Sequence, residues 1–290
     1  MTLRIVPTDD FPTVQAAIDD SAPGDSIKLL VGTFDGFEVT VENLKIFGCG
    51  IGRTIISGQP AQGNIGVVVK ANRTVLQGFT VQGFLDSGVL IEFTYENNVV
   101  KEIESRFNTL RGLIILGVNN LILNCKVANN ADVGILASRN NCIMNCKMTN
   151  NDRGFNGGIN NILIHNLFKE SGLTGCFLGN NSIAFRNTFL NGLRGLDVNS
   201  NNMIIENMSC RNSETGILIS SDDNVIDSNL TRNNNLSGIN VMEFATNNTI
   251  RFNKAFNNSL FDIQATPPAN ENNTFNGNKC GNSFPPELCT

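Results

Sequence analysis

Residues 112–132 read GLIILGVNNLILNCKVANNAD, and residues 133–152 repeat the pattern as VGILASRNNCIMNCKMTNND. A third row, TGILISSDDNVIDSNLTRNNN, occupies residues 215–235. A row of about 21 residues is too short to bury its own apolar face, so only stacking on neighbouring rows can close a core. The repeat therefore predicts a solenoid. Glycines open successive rows, 20 to 22 residues apart, at Gly112, Gly134, Gly154, Gly175, Gly195, Gly216 and Gly238.

Each row contains short strands joined by an asparagine-rich turn. In GILAS, Ile135 and Ala137 alternate with Leu136, which is the two-residue period of a strand, and Ile143 marks another strand after the turn. Asparagine suits these turns because it tolerates a left-handed backbone, and its amide can bond to the next row. Amides stacked in register predict asparagine ladders. The mid-row asparagines are Asn120, Asn141, Asn161, Asn181 and Asn202.

The ends of a solenoid need caps, because its first and last coils expose an open core. Val14, Ala17 and Ile18 fall at the spacing of one helix face, which predicts a short amphipathic helix near the N-terminus. Near the C-terminus the repeat loosens around a Pro267-Pro268 loop. We predict a single β-helix domain over 1–290, with an N-terminal cap at 1–26, coils at 27–265, and a last coil and cap at 266–290.

The N-terminal region carries a family resemblance. FPTVQAAIDDSAPGDSIKLLVGTF at 11–34, followed by LKIFGCGIGRTIISG at 44–58, resembles the opening of right-handed parallel β-helix proteins of the pectin-lyase-like superfamily. Many members begin with an aromatic-Pro-Thr-x-Gln-Ala-Ala-Ile helix, a Pro-Gly-Asp turn, and a strand followed by Gly-Thr-aromatic. The resemblance implies an all-β, right-handed parallel β-helix of about ten coils behind a capping helix. It implies no single activity, because the superfamily includes lyases, hydrolases, esterases, epimerases and non-enzymes.

Composition argues against several classes of function. A net charge of −5 and a pI near 5.0 argue against nucleic-acid binding, which needs a basic face. No apolar run is long enough to predict a membrane span, and the N-terminal MTLRIVPTDDFP does not resemble a secretory signal. We therefore expect a cytoplasmic protein by default, although a leaderless surface or spore-type assembly would look the same. The chain has no Trp and one Tyr, which weakens the case for sugar binding by aromatic stacking.

The cysteines do not form the pattern of a disulfide framework or a zinc site. Cys125 and Cys146 lie 21 residues apart at the same place in two rows, so we predict a column of buried thiols. A disulfide between them is geometrically conceivable but unnecessary. Cys280 and Cys289 could close a C-terminal loop in an oxidising environment. The thiol column should continue into buried amides at Asn166, Asn187, Asn207, Asn229 and Asn253.

The outward residues of the first strand in each row form a mostly apolar stripe. Such a stripe is unusual for a solvated strand. Three interpretations fit it: a loop or tail that covers it, self-association through Leu136, Phe177 and Leu218, or a sugar-binding face. The stripe comprises Leu90, Ile114, Leu136, Asn156, Phe177, Asp197, Leu218 and Asn240.

A charged edge lies at the entry to the same strands. Arg111, Arg153 and Arg194 recur every second row, which predicts a spacing of roughly 9.5 Å along one edge. In polygalacturonase-like proteins catalytic carboxylates precede the Gly-Ile strand, so the resemblance makes Asp132 and Asp152 the best positional matches. Paired carboxylates can act as acid and base in glycoside cleavage. The alternative is a solvated edge of weak ion pairs, made of Asp86, Arg111, Asp132, Asp152, Arg153, Arg194 and Glu214.

The match to any one enzyme family is incomplete. Asp222-Asp223 follows its strand instead of preceding it, and His165 lies beside a turn asparagine, so we predict turn roles for all three. The Gly-His-Gly and Arg-Ile-Lys elements of polygalacturonases are absent. No cluster of aspartates clearly predicts a calcium site, so no cofactor is expected, with calcium relevant only if the protein is a lyase.

Two functional hypotheses follow. The first is a non-catalytic β-helix scaffold or polysaccharide-binding protein that belongs to a surface or self-assembled structure. The second is a polysaccharide-active lyase or glycoside hydrolase, in which an arginine holds a uronate carboxylate or acts as a base. The hypothetical catalytic residues are Asp132, Asp152, Arg153, Arg194 and Asp197, and the hypothetical binding residues are Arg111, Asn156, Phe177, Glu214 and Asn240.

Overall fold

The computed structural model describes residues 1–59 and 63–289. These residues form two compact units, an N-terminal unit, Met1–Lys147, and a C-terminal unit that begins at Met148. Counted over both, the described chain makes about 13 turns of a right-handed parallel β-helix. The predicted fold class is confirmed, but the prediction of about ten coils was wrong. The reason is that the segments assigned to the caps also supply strands, such as Leu3–Val6 and Thr274–Asn276.

Each turn passes through three parallel sheets, named here the first, second and third sheet in the order in which a row enters them. In the N-terminal unit the first-sheet strands are Phe37–Val39, Ile65–Val69, Ser87–Ile91, Arg111–Ile115 and Val133–Ala137. The second-sheet strands are Leu3–Val6, Ser26–Leu29, Lys45–Phe47, Val75–Gln77, Val99–Lys101, Leu121–Leu123 and Cys142–Met144. The third-sheet strands are Gly32–Phe34, Thr54–Ser57, Thr80–Gln82, Glu104–Arg106 and Lys126–Ala128.

The C-terminal unit repeats this arrangement, and the strand Lys147–Thr149 contains the boundary between the units. Its first-sheet strands are Arg153–Gly157, Thr174–Leu178, Arg194–Val198, Ile217–Ile219, Ile239–Val241, Ile263–Ala265 and Ser283–Phe284. Its second-sheet strands are Ile162–Ile164, Ile183–Phe185, Met203–Ile205, Val225–Asp227, Thr249–Arg251 and Thr274–Asn276. Its third-sheet strands are Leu167–Lys169, Thr188–Leu190, Met208–Cys210, Leu230–Arg232, Lys254–Phe256 and Lys279–Cys280.

The predicted capping helix is present at Val14–Asp19. Thr13 caps it, because its hydroxyl accepts a hydrogen bond from the backbone N–H of Ala16 at 3.1 Å. Val14, Ala17 and Ile18 are its buried residues, as predicted. Two short helices near the C-terminus, Ala269–Asn272 and the 3-10 helix Pro286–Leu288, were not predicted. No helix of the described chain is long and apolar enough to cross a membrane.

The core of each unit is a set of columns in which equivalent apolar residues stack from turn to turn. In the C-terminal unit Leu163, Ala184 and Ile204 align in the parallel register and are fully buried. Phe168 and Phe189 stack with ring centroids 4.8 Å apart. Because the stacked strands are about 4.8 Å apart, identical positions in successive rows contact one another directly. This contact explains why the sequence repeats.

Each corner of the coil combines a left-handed residue with a buried side chain that bonds to the next turn. Asn201 has φ of 58°, and the backbone N–H of the next residue, Asn202, donates to Asn224 Oδ1 at 2.8 Å. The predicted asparagine ladders are therefore confirmed. At one position the prediction chose the wrong residue: Asn181 is the left-handed residue, and Ser182 occupies the ladder.

The predicted column of thiols and amides is also present. In the N-terminal unit the backbone N–H of Cys125 donates to Cys146 Sγ at 3.4 Å, and both cysteines are buried and outside any disulfide. In the C-terminal unit the same corner holds a ladder of amides. Separately, Cys280 and Cys289 form a disulfide near the C-terminus. The ladder amides are Asn166, Asn187, Asn207, Asn229, Asn253 and Asn278.

Candidate functional site

The outer face of the first sheet in the C-terminal unit carries the densest group of the residues nominated from sequence. The parallel register aligns the outward side chains of five successive strands in one row, so they share one surface. This row is less apolar than the stripe interpretation expected, because polar and apolar side chains alternate along it. The row is Asn156, Phe177, Asp197, Leu218 and Asn240.

Asp197 is the buried polar centre of this face, at only 8% exposure. Arg194, three residues earlier on the same strand, places Nη1 at 3.0 Å from Asp197 Oδ2. The hydroxyl of Thr174, on the preceding strand, donates to the same oxygen at 3.2 Å. The other oxygen, Oδ1, is buried and has no hydrogen-bond partner among the residues described. A buried carboxylate oxygen without a partner is costly, and such a group in a folded protein calls for an explanation such as a catalytic role.

The environment of Asp197 raises the pKa of its carboxyl group above the ordinary value. Burial is the largest cause, because it disfavours the charged form, and the negative charge of Glu214 acts in the same direction. The charges of Arg194 and Arg153 and the hydrogen bond from Thr174 lower the pKa without cancelling the effect of burial. A carboxyl group with a raised pKa near an arginine fits a proton donor or acceptor.

Glu214 completes the group from the turn before the next first-sheet strand. Its Oε2 lies 3.5 Å from Arg194 Nε, so one guanidinium contacts two carboxylates. The Glu214 side chain is 41% exposed, and this outer contact is therefore the weaker of the two. We name Thr174, Arg194, Asp197 and Glu214 the Arg194 cluster.

Sequence reasoning found three members of the cluster and missed Thr174. The register places Thr174 between Arg153 and Arg194, in the row where arginine recurs every second turn. Arg153 and Arg194 are therefore two strands apart, about 9.6 Å at normal strand spacing. The signal that could have identified Thr174 is its place in that row, where a short hydroxyl side chain separates two arginines.

The charged edge of the N-terminal unit is a chain of partly exposed ion pairs. Arg111 Nη1 lies 3.5 Å from Asp86 Oδ1, and Arg111 Nε lies 3.4 Å from Asp132 Oδ2. About a third of each of these side chains is exposed, so the pairs contribute little. Arg111 and Asp132 thus match the alternative of a solvated edge. Asp152, in the C-terminal unit, is exposed, and its carbonyl accepts from the backbone N–H of Leu173 at 2.7 Å.

The remaining nominated residues line the outer face around the cluster. Phe177 is 37% exposed and offers the apolar surface of one aromatic ring. Asn240 Oδ1 is buried and, within the described chain, lacks a hydrogen-bond partner. Asn156 and Leu218 are half-buried. This face therefore presents polar atoms and one ring to a ligand, and Asp197 is the most deeply buried residue of the outward row.

Comparison with solved structures identifies the fold but no close relative. No protein-family model and no curated protein matches the chain. The A-module of the Azotobacter vinelandii mannuronan C-5 epimerase AlgE6 superposes with a TM-score of 0.80 at 16% identity, covering 93% of this chain and 89% of the module. A mannuronic acid specific polysaccharide family 6 lyase from human gut microbiota gives 0.65 at 12%, covering 97% and 87%. Pre-mature bacteriophage phi29 gene product 12 gives 0.69 at 14%, covering 89% and 48%.

The chain has the pectin-lyase-like fold. The resemblance stated from its N-terminal sequence is thereby confirmed at the level of the fold. Within this pectin-lyase-like β-helix, Asp223 is a left-handed turn residue with φ of 61°, and Asp222 Oδ1 accepts from the backbone N–H of Thr246 at 2.7 Å. His165 also has a left-handed backbone, with φ of 56°. The turn roles predicted for these residues are confirmed.

The described residues contain no group of three or more His, Cys, Asp or Glu side chains arranged to hold a metal ion. The Arg194 cluster itself has two carboxylates, both in contact with a guanidinium that repels a cation. The donor set therefore does not fit the calcium ion considered for a lyase, and we assign no step to a metal.

Proposed function

We propose that the first-sheet face of the C-terminal unit is the active site of an enzyme that modifies an acidic polysaccharide. The observation that carries the proposal is the buried Oδ1 of Asp197, which lacks a hydrogen-bond partner in the described chain and lies beside the guanidinium of Arg194. This arrangement combines a group able to exchange a proton with a group able to bind a carboxylate.

Arg194 is suited to hold the carboxylate of a uronate unit. The Arg194 side chain is about one-third exposed, and the approach of Glu214 Oε2 to its buried Nε at 3.5 Å is an ion pair without a hydrogen bond, so a substrate carboxylate can displace Glu214 at low cost. A guanidinium binds a carboxylate through two parallel hydrogen bonds, which fixes the sugar ring. Its positive charge also stabilises the negative charge that develops when a proton leaves the carbon next to the carboxylate.

Asp197 and Glu214 are suited to the two proton transfers. The raised pKa of Asp197 suits a carboxyl group that gives a proton to the sugar or to the glycosidic oxygen. Glu214, released from Arg194 by the substrate, can accept the proton from carbon. Donation of a proton from Asp197 to the opposite face of the same carbon gives epimerisation, and donation of that proton to the departing glycosidic oxygen gives an unsaturated product. Both outcomes leave proton and charge balanced.

Two further points support an enzyme over a non-catalytic scaffold. The outer row of the C-terminal unit has Asn156, Asp197 and Asn240 at three of its five positions, which makes it a poor self-packing stripe. Two of the similar structures are described as a mannuronan C-5 epimerase and a mannuronic acid specific lyase. Their identity to this chain is low, so the substrate class is part of the proposal. Self-association through Leu136, Phe177 and Leu218 stays a prediction.

Incubation with a panel of acidic and neutral polysaccharides tests the proposal. Ultraviolet absorbance detects unsaturated products, a reducing-sugar assay detects cleavage, and proton NMR in deuterated water detects exchange at the carbon next to the carboxylate. Each assay is run with and without calcium. We expect a change in a polyuronate and none in a neutral glucan.

Two variants identify the site. Asp197→Asn should reduce the rate by at least about 100-fold, because the amide cannot exchange a proton. Asp227→Asn is the matched control, since Asp227 also pairs with an arginine, Arg251, at 2.7 Å but lies on the second sheet. The proposal fails if no polyuronate changes, or if Asp197→Asn is as active as the wild type. Binding of a polyuronate without any reaction would support the polysaccharide-binding alternative.

A further inference from the structure

The outer face of the second sheet in the C-terminal unit is apolar across three adjacent strands and at Val225 of a fourth strand, whose other outward residue is the charged Asp227. These are the strands that contain the buried residues Leu163, Ala184, Ile204 and Ile226, whose neighbours on either side point outward. We name the outward apolar side chains the second-sheet patch. In register, the patch consists of one row, Ile162, Ile183, Met203 and Val225, and a second row, Ile164, Phe185 and Ile205.

The fold does not explain this patch. Core formation requires only the inward residue of each three-residue strand, and an outward face in contact with water normally carries polar side chains. Here Ile162 is 38% exposed and Met203 is 44% exposed. A contiguous exposed apolar surface on a folded chain indicates an interaction site.

Polar groups border the patch at the C-terminal ends of its strands. Arg186 lies over the Phe185 ring, with its guanidinium carbon 4.6 Å from the ring centroid. Arg186 Nε also contacts Glu206 Oε2 at 2.7 Å, on the next turn of the helix. On the opposite side stand the left-handed asparagines Asn181 and Asn201. An apolar centre with a polar rim is the usual anatomy of a protein interface.

The order of charges on the rim indicates which partner fits. The centre of the patch lies between the strands Ile183–Phe185 and Met203–Ile205, and Arg186 and Glu206 follow those two strands. A two-fold axis that runs parallel to the strands through this centre exchanges the two strands between copies. It places Arg186 of one copy opposite Glu206 of the other, and Glu206 of the first copy opposite Arg186 of the second. The charges of this surface are therefore complementary to those of a second copy.

We propose that the second-sheet patch binds a second copy of this chain, face to face, about this two-fold axis. Ile183 of one copy then packs near Met203 of the other, and Phe185 packs near Ile205. Two sheets that pack in this way are about 10 Å apart, which the rim side chains can span. This surface differs from the first-sheet face that carries the Arg194 cluster, so dimers leave that face open.

The size of the patch predicts a weak dimer. Four strands extend about 19 Å along the helix axis, and the two rows lie about 7 Å apart along each strand. The apolar rows are therefore far smaller than the roughly 800 Å² per partner of a standard interface, so we expect a weak, transient dimer.

Sedimentation equilibrium of the full chain, from about 1 µM to about 300 µM, tests the proposal. The wild type should shift from monomer to dimer, and Met203→Asp should raise the Kd at least about tenfold. Phe256→Asp is the matched control, because Phe256 is a similarly exposed strand residue, at 38%, on the third sheet. Circular dichroism confirms that each variant is folded. A wild type that stays monomeric, or a Met203→Asp variant that dimerises like the wild type, overturns the proposal.

A charge exchange tests the two-fold arrangement itself. Arg186→Glu alone and Glu206→Arg alone should each weaken dimerisation, because like charges then face each other across the interface. A mixture of the two single variants should form heterodimers with near wild-type affinity, since every facing pair is again of opposite sign. Absence of heterodimers overturns the proposed axis. Flotation of a monomeric wild type with phosphatidylcholine vesicles would instead identify a lipid surface as the occupant, which also overturns the proposal.

Discussion

Arg194 Nη1 lies 3.0 Å from Asp197 Oδ2, and this contact occupies only one of the two carboxylate oxygens. The guanidinium stays partly exposed, whereas the carboxylate is buried between neighbouring strands. The pair therefore differs from the other ion pairs of the first-sheet edge, such as that between Arg111 and Asp132, in which both side chains are about one-third exposed. Burial of one partner distinguishes this pair from the others, and the proposed active site rests on that difference.

The raised pKa of Asp197 predicts a specific pH dependence of stability. A carboxyl whose folded-state pKa is raised contributes stability that is complete below the unfolded pKa, near 3.8, and that is lost as pH rises through the folded pKa. Asp197→Asn mimics the protonated form, so its melting temperature should exceed that of the wild type at pH 7 by about 2 °C. The difference should shrink as the pH falls toward the unfolded pKa. Thermal unfolding followed by circular dichroism across this range measures it.

The opposite result is equally clear for this variant. If Asp197→Asn is less stable than the wild type at pH 7, then the ion pair with Arg194 outweighs the cost of burial and the carboxyl is ionised.

Thr174→Val provides a second measurement, because it removes the hydroxyl that donates to Asp197 Oδ2 at 3.2 Å. Loss of this hydrogen bond should raise the carboxyl pKa further and move the alkaline limb of the activity to higher pH.

Much of the fold was predictable because its physical causes repeat. Stacking requires the same inward residue in each row, and the corners require a left-handed residue followed by a buried amide, as at Asn201 and Asn202. The coil count was harder to predict, because strands such as Leu3–Val6 occur outside the regular rows. Serine can also replace a ladder amide, as at Ser182, which obscures the register locally.

The candidate site was predictable only in part. The register follows from the row spacing, so Arg194, Asp197 and Glu214 could be nominated from sequence. Burial of Asp197 could not, because it depends on how side chains from the adjacent strands close around one carboxylate. The second-sheet patch was missed for a different reason. Ile162 points outward and Leu163 points inward, but both are apolar, so the sequence does not distinguish them.

The N-terminal cap should be sensitive to acid through Asp25. Hydrogen bonds from the backbone N–H of Thr2, from Arg4 and from the backbone N–H of Ala22 lower the pKa of this carboxyl to about 2. A depressed pKa contributes stability that is present above the unfolded value, near 3.8, and lost as pH falls through about 2. Asp25→Asn should therefore destabilise the chain at pH 7, where it leaves the buried Arg4 with less compensation, and the deficit should shrink below pH 4. Urea unfolding at several pH values tests this, with the exposed Asp19→Asn as control.

The free thiols should divide into two classes of reactivity. Burial raises the pKa of Cys125 and of Cys176 well above the ordinary value, so neither forms thiolate readily. Cys49 and Cys142 are only half-buried, and burial raises the pKa of Cys142 without closing it off from solvent. Iodoacetamide should therefore label these two at least about 100-fold faster than Cys125 and Cys176 in the native protein, as measured by peptide mass spectrometry. Equal labelling of all four would mean that the core opens on the timescale of the reaction.

The amide ladder should contribute more to stability than the exposed turn asparagines. The Asn207 side chain accepts from the backbone N–H of Asn187 at 2.8 Å and donates to the carbonyl of Ala184 at 2.8 Å. Asn207→Ala leaves both buried backbone groups without these partners, which should cost about 3 kcal/mol. Asn201→Ala is the matched control: it keeps the ladder intact and should cost only about 1 kcal/mol for a left-handed alanine. Urea unfolding of both variants measures the difference, and equal losses would mean that the corners are stabilised by backbone conformation and not by the ladder.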